Sequence, residues 1–200
     1  QPLDQGAVVQ PVQAPPHVVP QFGGLEVTTS STALQSLTDA VLYLVAYPFE
    51  CSEQLASRVL AVAALKDVLA AFKAEGLPPR DELVAAVDRD LARLRALQNE
   101  DGSFGFWRRG DQPWPYLGVH VALALERARA KGFNVPDDTW SRSQSYLKQV
   151  ERHIPSWYGE EARRTLIAYA LFVRQRMGDP DPTRARKLVA EAGVEKLSFE

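Results

Sequence analysis

Cys51 and Gln54 stand three residues apart in the stretch YPFECSEQLASR (47–58), and Cys51 is the one cysteine in 200 residues. Three residues is close to one helical turn, so the two side chains share a face with Cβ atoms about 5–6 Å apart. A thiolate within reach of a carboxamide can attack its carbonyl carbon and expel ammonia, leaving an internal thioester, a stored acyl electrophile. A helix start favours this chemistry. Its exposed N–H groups favour the thiolate and stabilise the sulfur when a nucleophile later opens the bond. Glu53, between the partners in sequence, points to another face; its acidity either tunes the site or only favours the helix N-terminus. Tyr47, Pro48 and Phe49 directly precede the cysteine and offer an aromatic cover against water. The plain alternative is a lone cysteine serving as a small buried hydrophobe. The C-x-E-Q spacing alone leaves both open.

Other constellations carry less. Asp88 with Asp90, or Glu160 with Glu161, have the residue types of a glycosidase carboxylate pair. No loop context accompanies them, and solvated helix faces explain them better. The basic group Arg184, Arg186 and Lys187 reads likewise as a solvated face. Asp137 and Asp138 are expected as helix caps rather than as a metal or diphosphate site. A single cysteine excludes an internal disulfide framework and a multi-cysteine metal site. No P-loop, dinucleotide fingerprint or zinc-ligand spacing is present, so neither cofactor nor metal is expected.

With 23 Lys plus Arg against 25 Asp plus Glu, the net charge is −2. That gives no electrostatic footprint for nucleic acid or an anionic membrane. The longest apolar stretch, Val41 to Phe49, is well short of the ~18 residues that span a bilayer. Residues 1–22 have neither a basic start nor an apolar run of signal-peptide type.

Helices must position the Cys–Gln pair. Residues 1–22 hold five prolines and no helical period, and are expected as a linker or extended lead-in. Leu25 to Thr29 alternate apolar and polar residues, which predicts one short strand. From Ser31 onward the pattern is helical. Leu34, Leu37, Val41 and Leu44 mark a first helix, and Ser52 to about Glu75 a second, ended by Gly76. Leu83, Val87, Leu91 and Leu94 mark a third, and Tyr116 to Ala130 a fourth, stopped by Gly132. A fifth opens at Asp137 or Asp138, a sixth holds Leu166, Ala170 and Val173, and a seventh begins after Pro182 and is cut short by the chain end. Between the third and fourth lies LQNEDGSFGFW (97–107). There Gln98 is expected to bond loop backbone while Gly102 makes a tight turn, with Phe104, Phe106 and Trp107 wedged between helix hairpins. Such a loop is similar to those of α/α toroids, where inner and outer rings of helices alternate.

The segments GGLEV (23–27), STALQSL (31–37) and LYLVAYPFECSEQLASR (42–58) together resemble the thioester region of bacterial α2-macroglobulins. The loop QNEDGSFGFW and the segment KGFNVP (131–136) match the style of that family too. The resemblance implies an all-α domain, an α/α toroid incomplete in this chain, over residues 31–200. Residues 23–30 would be a strand from a neighbouring β domain, preceded by the 1–22 linker. It further implies an endopeptidase inhibitor rather than an enzyme, located in the periplasm or at the cell surface. Cys51 would be the thioester sulfur, Gln54 the acyl carbon, and Tyr47, Phe49 and Glu53 the shielding or tuning residues. The partners would be other domains of the same polypeptide and target proteases, held covalently through a lysine amine. Some thioester relatives use a downstream histidine as nucleophilic catalyst, and three histidines are available. His17 lies in the linker. His120 sits in the apolar GVHVALAL, where a core histidine is expected, while His153 precedes the loop IPSWYG and is placed slightly ahead. Neither matches a family motif, so amine or water is the default nucleophile. Two other readings stay open: a relative in which no thioester forms, and a toroid enzyme acting on sugar or isoprenoid.

Overall fold

The structure, a computed structural model, describes residues 42–69 and 78–193 continuously, with positions 6, 9, 11–13, 16–19, 21–24, 27 and 40. Of the strand expected over Leu25–Thr29 only Val27 is described, and the helix around Leu34 and Leu37 and the stop at Gly76 lie outside the described residues. Contacts divide the chain into two units, Gln1–Ala33 and Leu34–Glu200. In the first, Val9, Val12, Val18, Val19, Phe22 and Val27 are exposed, and a turn is closed by the Phe22 N–H on Val19 O at 3.0 Å.

In the second unit, residues 42–46 are helical. Seven helices follow: α1 (Ser52–Leu69), α2 (Arg80–Leu97), α3 (Pro115–Ala130), α4 (Asp137–Lys148), α5 (Val150–His153), α6 (Glu160–Arg176) and α7 (Pro182–Ala192). Among the described residues there is no strand, only an isolated antiparallel bridge between Gln98 and Phe104.

Side-chain pattern sorts the helices into two rows. On α1 the residues Leu55, Ala56, Val59, Val62 and Ala63 are buried, and α3 buries Leu117, Val119, Val121, Ala122, Ala124, Leu125 and Ala128. A helix apolar around so much of its circumference must be packed on several sides. Accordingly α1 packs against α3, and α3 against α6, while α2, α4 and α7 back α1, α3 and α6 in turn. The alanines keep the helices close. At the far end, α7 buries a single stripe at Leu188 and Ala192. Between α6 and α7 runs a groove of about 420 Å³, lined by Leu171, Phe172 and Val189 among others.

Helix ends differ from expectation in two places. α4 starts one residue earlier than a cap at Asp137 requires: Pro136 holds the cap position and no side chain caps it. Asp138 instead accepts from Arg95 of α2 at 3.1 and 3.2 Å and from Arg142 at 2.9 Å, linking two helices. α7 is not cut off but closes at Ala192, where Gly193 turns at φ 73° and donates to Val189 O at 2.8 Å. Of the basic group on α7, Arg186 and Lys187 are exposed as expected, while Arg184 is half-buried and binds Glu151 at 2.6 and 3.1 Å.

Candidate functional site

Cys51 is the residue before α1, and its carbonyl accepts the first helical bond, from Leu55 N–H at 3.0 Å. The cysteine is fully buried. Its Sγ lies 2.6 Å from Gln54 Oε1, and its own N–H donates to the same oxygen at 3.3 Å. The second contact is the reach-back half of a capping box, with glutamine at the third helical position.

The connector 97–107 closes over this helix start. Ser52 N–H donates to Phe106 O at 2.9 Å, and Ser52 Oγ–H to Gly105 O at 2.6 Å, with Ser52 wholly buried. One N–H of the first turn is therefore already engaged by a carbonyl. Holding two carbonyls there requires a stiff loop. Gln98 Nε2 donates to Gly102 O, Thr139 O and Ser143 Oγ at 3.1–3.3 Å, as expected of a glutamine at a helix end. Gly102 has φ 87°, the left-handed region glycine favours, and a Cβ at Gly105 would overlap the Arg108 carbonyl. Phe104 is buried, Phe106 partly so, but Trp107 is 49% exposed. The wedge expected of three aromatics is made chiefly by Phe104. Trp107 is freed because its N–H and that of Arg108 both donate to Asp111 at 2.8 Å, which turns the chain outward.

Tyr47 and Phe49 pack edge to face at 5.6 Å, and Tyr43 and Tyr47 pack tilted at 5.5 Å, so three aromatics of the segment before Cys51 form one file. Phe49 is 58% exposed.

Two clusters flank the pair, and the sequence alone revealed neither. In the first, Ser57 Oγ–H donates to Glu53 Oε1 at 2.9 Å and lies 3.1 Å from His120 Nε2. A hydroxyl has one proton, so with that proton on Glu53 the imidazole Nε2 must donate to Ser57. His120 is nearly buried and stacks on Tyr116 at 5.7 Å. Burial lowers its pKa, against the pull of Glu53 at 4.0 Å. In the second, Arg58 Nε and Nη2 donate to Asp90 at 2.6 and 2.5 Å in a buried bidentate pair, and Nη2 also to Glu50 at 3.3 Å. The Asp90 bonds raise the Arg58 pKa, while burial pushes the Asp90 carboxyl above its ordinary value. The two-pronged geometry is that of an ion pair. Asp90 is thus no solvated helix face. Asp88 is exposed, as expected.

His153 has other neighbours, its ring 4.6 Å from Tyr146 and its Nδ1 3.9 Å from Asp101 of the 97–107 connector. Of the two histidines considered, His120 is the one joined to the first turns of α1. No group of three or more metal-ligating side chains occurs among the described residues. Nor is any described helix long and apolar enough to cross a membrane.

No protein-family model matches the chain. Over 164 residues it is 38% identical to Circularly permutated Ras protein 2 of Dictyostelium discoideum, covering 78% of this chain and 4% of that protein. It is 27% identical over 161 residues to Alpha-2-macroglobulin of Rickettsia conorii, covering 78% of this chain and 8% of the relative. Native alpha-2-macroglobulin of Escherichia coli, solved from domain MG7 to the C-terminus, superposes with a TM-score of 0.69 at 23% identity, over 80% of this chain and 26% of that one. The chain is homologous to the bacterial alpha-2-macroglobulins. Relatives of that name come from several bacteria. The helical fold is shared with the alpha-2-macroglobulin structure, and the chain spans under a tenth of the length of these curated relatives.

Proposed function

We propose that this chain is the thioester domain of a bacterial alpha-2-macroglobulin-like protease inhibitor, and that Cys51 and Gln54 form its internal thioester. The observation that carries this reading is the Sγ–Oε1 distance of 2.6 Å. With a C–S bond of about 1.8 Å and a C=O bond of about 1.2 Å on one trigonal carbon, sulfur and oxygen stand about 2.6 Å apart. That is the separation across a thioester.

The chemistry balances without a cofactor. The Cys51 thiolate adds to Gln54 Cδ and the amide nitrogen leaves as ammonia with the thiol proton. Later a lysine amine of a protease adds to the same carbon; Sγ leaves as thiol, and the protease stays bound through a new amide. Each domain does this once, so it is a trap and not a turnover enzyme. Tyr47 and Phe49 belong on this reading to the cover that keeps water out. His120, neutral and with Nε2–H committed to Ser57, leaves Nδ1 as a base, which ranks it above His153 as an aid to acyl transfer. The two rows of helices support a toroid over residues 31–200, with 1–22 as linker and 23–30 belonging to a neighbouring domain. Its partners are then target proteases and other domains of the same polypeptide, and its place is the periplasm or the cell surface.

A second reading has its own observation. The Cys51 N–H bond to Gln54 Oε1 is an ordinary capping box and needs no reaction, so a non-reacting relative would keep it. The third, a toroid enzyme, is weakened because Asp90 is consumed by Arg58. Intact mass separates the first two. A thioester lowers the mass by about 17 Da, and methylamine then releases a titratable thiol. Full mass with a free thiol throughout excludes the trap, and multiple turnovers without a change of mass would favour the enzyme.

A further inference from the structure

We infer that Arg58 is a positioning residue for the thioester, acting through Glu50, the residue directly before Cys51; this rests on the thioester reading above. Cys51 is the residue before α1 and Arg58 lies seven residues, about two helical turns, further on, so Arg58 sits on the side of α1 that continues from Cys51. Helical side chains lean toward the N-terminus, and the guanidinium therefore reaches back along the helix to the lead-in segment. That segment, residues 47–51, is not helical and has no ladder of its own to fix it.

The distances rank the contacts. The bonds to Asp90 of α2, at 2.5 and 2.6 Å, are short, charge-assisted and nearly dry, with side-chain exposures of 11% and 4%. The bond to Glu50 is 3.3 Å and that carboxylate is 57% exposed. Asp90 is thus the anchor that holds the guanidinium, and the remaining face of Nη2 holds Glu50. Fixing Glu50 fixes the peptide that carries Cys51 N–H and sets where Sγ points relative to the Gln54 carbonyl. Arg58 contacts neither reacting atom, and its part is geometric. A lysine at this position would lose the planar fork that serves two carboxylates at once.

The decisive experiment leaves the buried pair intact. In the full chain, Glu50→Ala removes the held group but not Arg58–Asp90, so the melting temperature should match wild type. The fraction of freshly prepared protein lighter by about 17 Da should nonetheless fall about 3- to 10-fold, since small misplacements of reacting groups cost rate steeply. Glu50→Gln, which keeps an acceptor oxygen, should restore part of it. Arg58→Lys should lower both the light fraction and the melting temperature, and adding Glu50→Ala to it should cost no more light fraction. A Glu50→Ala protein with wild-type light fraction and wild-type rate of methylamine-triggered thiol release overturns the inference. Arg58–Asp90 would then be a scaffold contact alone. A wild-type chain with no light species overturns the thioester reading first, and this inference falls with it.

Discussion

Helices α1 and α7 begin in opposite ways. α7 opens with Asp181, whose carboxylate accepts from Arg184 N–H at 3.0 Å, and with Pro182 at the first position. Such a carboxylate cap only stabilises. α1 opens with a cysteine whose N–H is satisfied by Gln54, while Ser52 leans on two carbonyls of a loop more than fifty residues away. Beyond its own first turn, the first start takes only a bond to Asp181 from Arg174 of the adjoining α6, at 3.1 Å. The second is assembled from α1, the 97–107 connector, α2 and α3, and spends its side chains on holding a sulfur against a carbonyl.

That contrast can be broken experimentally. The largest effect belongs to Cys51→Ala: the light mass species should vanish, and heat-stable adducts with proteases should fall more than about 100-fold. If such adducts persist, the start of α1 is no more than a helix cap. Next, Asp90→Ala leaves the Arg58 charge buried without its main partner. It should cost about 3–5 kcal/mol in urea unfolding, the usual price of breaking a buried pair.

A third comparison runs along pH. Burial holds the His120 pKa below its ordinary value, so the unfolded chain binds more protons below about pH 6.5 and stability falls as the pH drops through that region. His120→Gln should flatten this slope in denaturation curves taken from about pH 5 to 8. Asp181 is the reverse case in a lower range. Its hydrogen bond from Arg184 N–H, helped by Arg174, depresses its pKa, so its contribution is present above about pH 4 and lost as pH falls through the depressed value. The smallest effect is Asp181→Ala, a modest drop in melting temperature with thioester content unchanged. A drop in the light species there would mean that the two starts are coupled.

What the sequence made legible followed from local spacing. Cys51–Gln54 are one turn apart, Gln98 and Gly102 four apart, and the runs in α2 and α3 keep a strict helical period. The clusters that flank the site are not local. Asp90 had the surroundings of a surface carboxylate, and only the packing of α2 on α1 brought Arg58 to it from 32 residues away. His120 looked like a core residue within GVHVALAL; Ser57, its partner, lies 63 residues earlier. His153 looked better placed because a loop followed it, yet its neighbours are Tyr146 and Asp101. Trp107 carried an aromatic's expectation of burial, which the Asp111 turn overrode.

The bond from Cys51 N–H to Gln54 Oε1 has a consequence for how such a trap would be read. Carboxamide, thioester, substituted amide and carboxylate all retain a carbonyl oxygen at that place. The helix start can therefore keep its acceptor before charging, while charged, after capture and after hydrolysis. Spent and armed molecules would share one fold at α1, and a probe of this domain's backbone would not tell them apart. The record of a capture lies in the mass, the free thiol and whatever is attached.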